Sequence, residues 1–181
     1  MRGGARGGRC YVGRVATRVV SFPPLERADA RVLILGTMPG GASLREGRYY
    51  AHPRNAFWPI LADLLGFDAE APYGLRASAL LDARIALWDV LASCVRRGSL
   101  DAAIVRPSMR INEFGAFFAS HPRLRRVFFN GATAETLFRR HVRPGLPPLP
   151  RVTFLRLPST SPAHAGMTRA RKRRAWRAIR P

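Results

Sequence analysis

Four short apolar runs, at residues 31–36, 85–90, 126–130 and 152–157, constrain what this chain can fold into more than any other feature. The first ends in Gly36, the third in Asn130 before Gly131, and the last is halted by Pro158. Five or six residues that are apolar without alternation suit strands buried on both faces, as in a parallel sheet. Helical patterns fall between them, at about 55–65, 112–120 and 132–140. This alternation predicts a three-layer α/β/α domain around a central, mostly parallel four-stranded sheet. With 181 residues there is material for one substantial core, so 21–181 reads as a single domain ending in a basic helix.

In such sheets the functional sites lie at the C-terminal ends of the strands. That rule selects the loop after Gly36, the turn at Asn130 and the loop after Leu157. The stiff, proline-rich stretch 144–150 reads as a connector before the last strand.

The charge identifies a class of partner. Lys and Arg total 31 against 11 Asp and Glu, a net charge of +20, and so positive a surface attracts polyanions, nucleic acid first. Genome bias explains part of the arginine count, since Lys172 is the only lysine, but not the shortage of acids. Residues 1–20 hold five arginines and no acid, and 167–181 hold seven basic residues and no acid. Glycines interleaved with arginine at the start offer no hydrophobic period, so 1–20 is expected to be a flexible basic arm. No 18-residue apolar run is present, which argues against a membrane protein. Cys10 and Cys94 form neither a disulfide framework nor a metal-ligand spacing. A monomer in the cytoplasm, held on the nucleoid through DNA and needing no metal or cofactor, is the expectation.

The loop chemistry narrows this further. Gly36, Thr37, Met38, Pro39 and Gly40 open a glycine-rich loop that lets backbone approach a ligand; without a following Gly-Lys-Ser/Thr it is not a phosphate-binding P-loop. Tyr49, Tyr50, His52, Asn55, Phe57 and Trp58 then place aromatic, imidazole and amide groups within ten residues, a set suited to a flat heterocyclic base. The Asn130 amide offers a donor and an acceptor together, as the O=C–N–H edge of uracil or hypoxanthine requires, or else caps the helix from Ala132. Ser159, Thr160 and Ser161 lie between Pro158 and Pro162 ahead of His164, a rigid turn that either grips phosphates or is simply a turn. Asp89, after Trp88, offers a carboxylate for a base, but reads rather as a buried strand-end group bonded to backbone N–H groups. Lys172, among arginines, is expected to face solvent or phosphate, leaving no amine for strand-breaking Schiff-base chemistry.

Together these segments resemble the uracil-DNA glycosylase superfamily, and most closely its hypoxanthine-DNA (deoxyinosine) glycosylase branch. Residues 36–40 look like the G-I-N-P-G motif of the mismatch-specific uracil and thymine glycosylases, 49–58 like its aromatic P-x-N-x-F-W continuation, and 157–163 like the final DNA-entering loop. Met38 and Leu157 depart from the polar residues of uracil-cutting relatives, and Ser161 stands where relatives carry a leucine wedge. The resemblance implies a monofunctional hydrolase acting on DNA that contains a deaminated base, most of all hypoxanthine. It assigns catalysis and base recognition to Asn55 and Asn130. Tyr49, Tyr50 or Phe57 would then stack on the flipped base, and His52 or His164 would bond the leaving purine or be structural. The alternatives are a uracil or thymine mismatch glycosylase, or a basic nucleic-acid-binding module without catalysis.

Overall fold

The computed structural model describes residues 17–180. In chain order the strands and α-helices are β1 (Thr17–Val20), β2 (Val32–Gly36), α1 (Gly41–Glu46), α2 (Phe57–Leu65), α3 (Tyr73–Asp82), β3 (Ile85–Asp89), β4 (Leu91–Arg96), β5 (Ile104–Ile111), α4 (Phe114–Ser120), β6 (Arg126–Asn130), α5 (Ala132–Leu137), β7 (Thr153–Leu157) and α6 (Arg169–Trp176). The four apolar runs are β2, β3, β6 and β7. They form one sheet in the order β3-β2-β6-β7, every neighbouring pair parallel.

Successive strand residues point to opposite faces, so each apolar run supplies two layers at once. Leu33, Leu35, Ala86, Trp88, Val127 and Phe129 pack on one face with Phe114 and Phe117 of α4, Ala134 of α5, and Phe138 just beyond it. Val32, Ile34, Ile85, Leu87 and Phe128 pack on the other with Phe57, Ile60 and Leu61 of α2, Leu80 of α3 and Trp176 of α6. Burying a side chain of this size contributes roughly 1.5–3 kcal/mol, which is why these runs seek the centre of a three-layer fold.

A second sheet departs from expectation. β1, β4 and β5 form an antiparallel sheet in the order β1-β4-β5. Residues 17–20, expected to belong to the arm, are its first strand, paired with β4; the rest of the expected arm, with Cys10, lies outside the described residues. β4 follows β3 after a single residue, so the chain passes directly from the parallel sheet into the second one. Pro107 sits in β5, an edge strand, where a missing N–H is tolerated.

α2 and α4 begin two residues inside their expected limits and end on them, whereas α5 begins where expected and ends three residues early. α2 starts at Phe57, whose N–H is accepted by Asn55 Oδ1 (3.0 Å). α5 gives way after Leu137 to a wider π-helical turn over Phe138–Val142, ahead of Pro144.

Candidate active site

The C-terminal ends of β2, β6 and β7 bring the three loops together. β2 delivers Gly36 beside Asp89 at the end of β3, its register partner. A side chain at residue 36 has no room, because its Cβ would overlap Oδ1 of Asp89 and press on the Tyr50 hydroxyl at 3.0 Å. The chain then turns through buried Thr37, Met38 and Pro39, runs along α1 and arrives at Tyr50. This residue adopts the left-handed conformation (φ 53°), unusual for a bulky side chain. The Tyr50 ring stacks on Phe57 at 3.9 Å between centroids with an interplanar angle of 19°.

Asn130 locks these pieces to the final loop. Its Nδ2 donates to the Tyr50 hydroxyl (3.0 Å) and to Thr160 Oγ1 (2.9 Å), while its Oδ1 accepts from the Thr160 N–H (2.8 Å). It does not cap α5. Gly131 takes that position at φ +105°, where an added Cβ would stand 3.0 Å from the Ser159 side chain. The Ala56 N–H donates to the Thr160 carbonyl (3.0 Å), a second tie between the aromatic loop and the final loop.

Two clefts, of about 430 and 280 Å³, open over this frame and share Tyr50, Asn55, Asp89 and Ser161. Asn130, Gly36 and His164 line the smaller one, His52 and Gly40 the larger. Asn55 uses Oδ1 on the Phe57 N–H, and its Nδ2 has no protein partner among the described residues. His52 Nδ1 accepts from the Arg54 N–H (3.1 Å), which places the ring proton of the neutral form on Nε2. A separate cavity of about 440 Å³ between β5 and α5 adjoins the smaller cleft only through Asp101 and contains neither asparagine.

The electrostatics of the clefts are unusual for so basic a chain. Asp89 is buried and its carboxyl is pushed up to about 7, first by desolvation and then by Asp101, against the Ser21 hydrogen bond and the Arg96 charge. Burial also raises the carboxyl of Asp101, opposed by a hydrogen bond from Thr37 and by Arg96. Arg96 is itself buried; it donates through Nη2 to the Pro39 carbonyl, and its Nε and Nη1 have no partner among the described residues. Desolvation, followed by the Asp89 charge, drives the Tyr50 hydroxyl far above its ordinary value, so it remains a proton donor.

Residues 23–180 match the family model described as the Uracil DNA glycosylase superfamily. The chain belongs to that superfamily. It is similar to two curated proteins named Hypoxanthine DNA glycosylase. One, from Methanosarcina barkeri, is 39% identical over 111 residues, 61% of this chain and 69% of that protein. The other, from Methanosarcina acetivorans, is 34% identical over 114 residues, 62% and 71% of the two chains. The solution NMR structure of a candidate uracil DNA glycosylase from Methanosarcina acetivorans superposes with a TM-score of 0.73 and 28% identity, covering 90% of this chain and 99% of that one.

Within the glycosylase cleft the expected site residues separate into three groups. Tyr50, His52, Asn55, Asn130, Ser159, Ser161 and His164 line it, as do Gly36, Thr37, Pro39 and Gly40. Tyr49 contributes to its wall, yet its ring is buried and its hydroxyl donates to the Phe22 (3.3 Å) and Pro23 (3.1 Å) carbonyls, so it is a core residue rather than a stacking platform. Phe57 is fully buried beneath Tyr50 and stacks on that ring instead of on a base. Met38 turns away into a small cluster with Leu91 and Cys94, and Leu157 packs into the core. Thr160 is buried, its hydroxyl committed to Asn130.

Three further expectations about the glycosylase chain are corrected. Asn130 does not hold a free amide toward the cleft, since both of its N–H groups are taken. Asp89 is bonded by the Ser21 hydroxyl (2.9 Å) and not by backbone N–H groups. Lys172 faces neither solvent nor phosphate: it is 5% exposed, and Nζ donates to the His164 (2.9 Å) and Ser161 (3.5 Å) carbonyls of the final loop. The sequence reading also missed Ser99, Leu100 and Asp101, which reach the clefts from the turn after β4. Leu100 is 59% exposed there; no motif marks the turn, and only the second sheet brings it to the site.

Proposed function

We propose that this protein is a monofunctional DNA glycosylase that takes a deaminated base, hypoxanthine before others, into this cleft and hydrolyses its N-glycosidic bond to leave an abasic site. The observation that carries the reading is the joint presentation, over one cleft, of the Tyr50 hydroxyl, the unpaired Asn55 Nδ2 and the Asn130 amide oxygen. The names of the two Methanosarcina relatives support hypoxanthine as the base.

The base is chosen by its hydrogen-bonding edge. Hypoxanthine presents an N1–H donor and an O6 acceptor where adenine presents an N1 acceptor and an amino donor. Asn130 Oδ1 accepts one bond from Thr160 and keeps a second lone pair, which meets N1–H of hypoxanthine but would oppose the N1 lone pair of adenine. The Tyr50 hydroxyl receives an N–H from Asn130 and retains its own proton to give to O6. Leu157, packed in the core, offers nothing polar to a departing uracil oxygen. Extrusion costs a few kcal/mol and is easiest from weakened pairs, so deaminated bases enter preferentially. Asn55 Nδ2 holds the oxygen of the attacking water. Leu100, exposed at the rim, fills the space the base has left. The protein acts as a monomer on nucleoid DNA in the cytoplasm; no helix among the described residues is long and apolar enough to cross a membrane.

Asn55→Ala tests the reading. Its single-turnover rate on duplex DNA containing inosine is expected to fall by about a hundred-fold or more, with DNA affinity nearly unchanged, because an aimed donor acts on the transition state. Excision at the parent rate would place the chemistry elsewhere.

A further inference from the structure

Resting on that reading, we propose that Asp89 is the catalytic base, the carboxylate that accepts the proton of the water attacking the sugar. Water held by Asn55 must lose a proton as it bonds to carbon. The free group on Asn55 is an N–H donor, its oxygen already engaged by Phe57, and an amide takes no proton in any case. Asp89 is the carboxylate that lines both clefts beside Asn55.

Its setting agrees with this role. Asp89 is 3% exposed, yet no arginine, lysine or histidine nitrogen lies within ion-pairing distance among the described residues, and Ser21 supplies the hydrogen bond to its Oδ2. A buried carboxylate without an ion-pair partner is costly to the fold. The missing side chain at Gly36 makes room for its other oxygen, Oδ1. A negative charge in a site that binds a polyanion weakens ground-state binding, but it is favourable once positive charge develops on the sugar.

In the step, the C1′–N9 bond breaks and its electron pair leaves with the base while the water oxygen bonds to C1′. The water proton passes to Asp89, which later releases it to solvent. No oxidant or other co-reactant is required. The titratable and charged groups around Asp89 are Tyr49 and Tyr50 from the aromatic loop, Arg96 of β4, Asp101 from the turn before β5, and His52, Arg54 and His164 at the cleft walls. A carboxyl raised to about 7 is partly ionised at neutral pH, as a working base should be.

The experiment is single-turnover excision from inosine duplex between pH 5.5 and 9 by the parent, Asp89→Asn, Asn55→Ala, His52→Gln and His164→Gln. The parent rate is expected to rise with pH through about neutrality and then level off. Asp89→Asn, isosteric and still able to accept from Ser21, should lie about a hundred-fold or more below that plateau. It should also lose the pH step, while both histidine variants keep it. Because a structural role would give the same loss, Asp89→Ala is tested with added formate, a small carboxylate that fits the vacated space; partial rescue is expected. Parent-like rate and pH profile in Asp89→Asn, with Asn55→Ala inactive, would overturn the assignment of Asp89 and leave the glycosylase reading standing. Parent-like rates in both variants would overturn both.

Discussion

Asn130 and Asp89 show how differently two polar residues at strand ends are held. Asn130 makes three hydrogen bonds to its own protein, two of them to Thr160, so it joins two loops before it touches a base. Asp89 is held by one hydroxyl and is buried against its own charge. The consequence for stability has a definite sign. Its folded pKa is about 7, above the roughly 3.9 of an unfolded aspartate. The folded state therefore binds more protons between these values; stability is fully present below about 4 and is lost as pH rises through about 7. Asp89→Asn should unfold at the same urea concentration as the parent near pH 4, yet be more stable at pH 8, by at most about 4 kcal/mol. Identical urea midpoints at pH 8 would mean that the native fold bears no cost for the carboxylate. The variant that loses activity is thus expected to gain stability. The sequence placed Asp89 correctly as a buried strand-end carboxylate but not its partner, because Ser21 lies far away in the chain. Only the pairing of β3 with β2 puts it beside Gly36.

At the scale of elements, α6 braces the loop that closes the site. Thr168 caps its start by accepting from the Arg171 N–H (3.3 Å), Lys172 donates to the carbonyls of Ser161 and His164, and Trp176 Nε1 donates to the Pro158 carbonyl (2.9 Å). Lys172→Met strips two carbonyls of a charged donor and should lower stability by about 1–3 kcal/mol. A parallel loss of excision is expected as the final loop loosens; an unchanged Tm would show that the brace carries no load. In the parent the amine is committed to carbonyls, so borohydride should trap no covalent protein–DNA adduct. The parallel strands were legible because each is a compact apolar run, and all but β3 are ended by a turn residue. The antiparallel sheet was not. β1 is a four-residue, largely exposed strand, β4 follows β3 after one residue, and β5 carries Pro107 among exposed positions. Likewise the loop motifs located Tyr50, Asn55 and Asn130, but could not tell that Tyr49 and Phe57, of the same residue types, turn inward.

Across the whole molecule, charge is sorted by depth. The net charge is +20, and of the 11 acidic residues Asp29, Glu46, Asp63, Asp82 and Glu135 pair with arginines toward the surface. Asp89 and Asp101 have no such partner among the described residues and lie in the cleft. A basic exterior draws in the phosphate backbone, and an acidic interior meets the sugar as it becomes cationic. Exposed Arg171 and Arg174 on α6, and Arg177 just beyond it, extend the basic surface beside the final loop. The central claim, that this machinery removes hypoxanthine from DNA, is tested most directly by incubating the protein with duplexes that contain a single inosine, uracil, xanthine or mismatched thymine and measuring abasic sites. Abasic sites are expected fastest and most completely at inosine, with the strand intact until heated in alkali. Binding without abasic sites at any of the four bases, or faster release of uracil than of hypoxanthine, would contradict it.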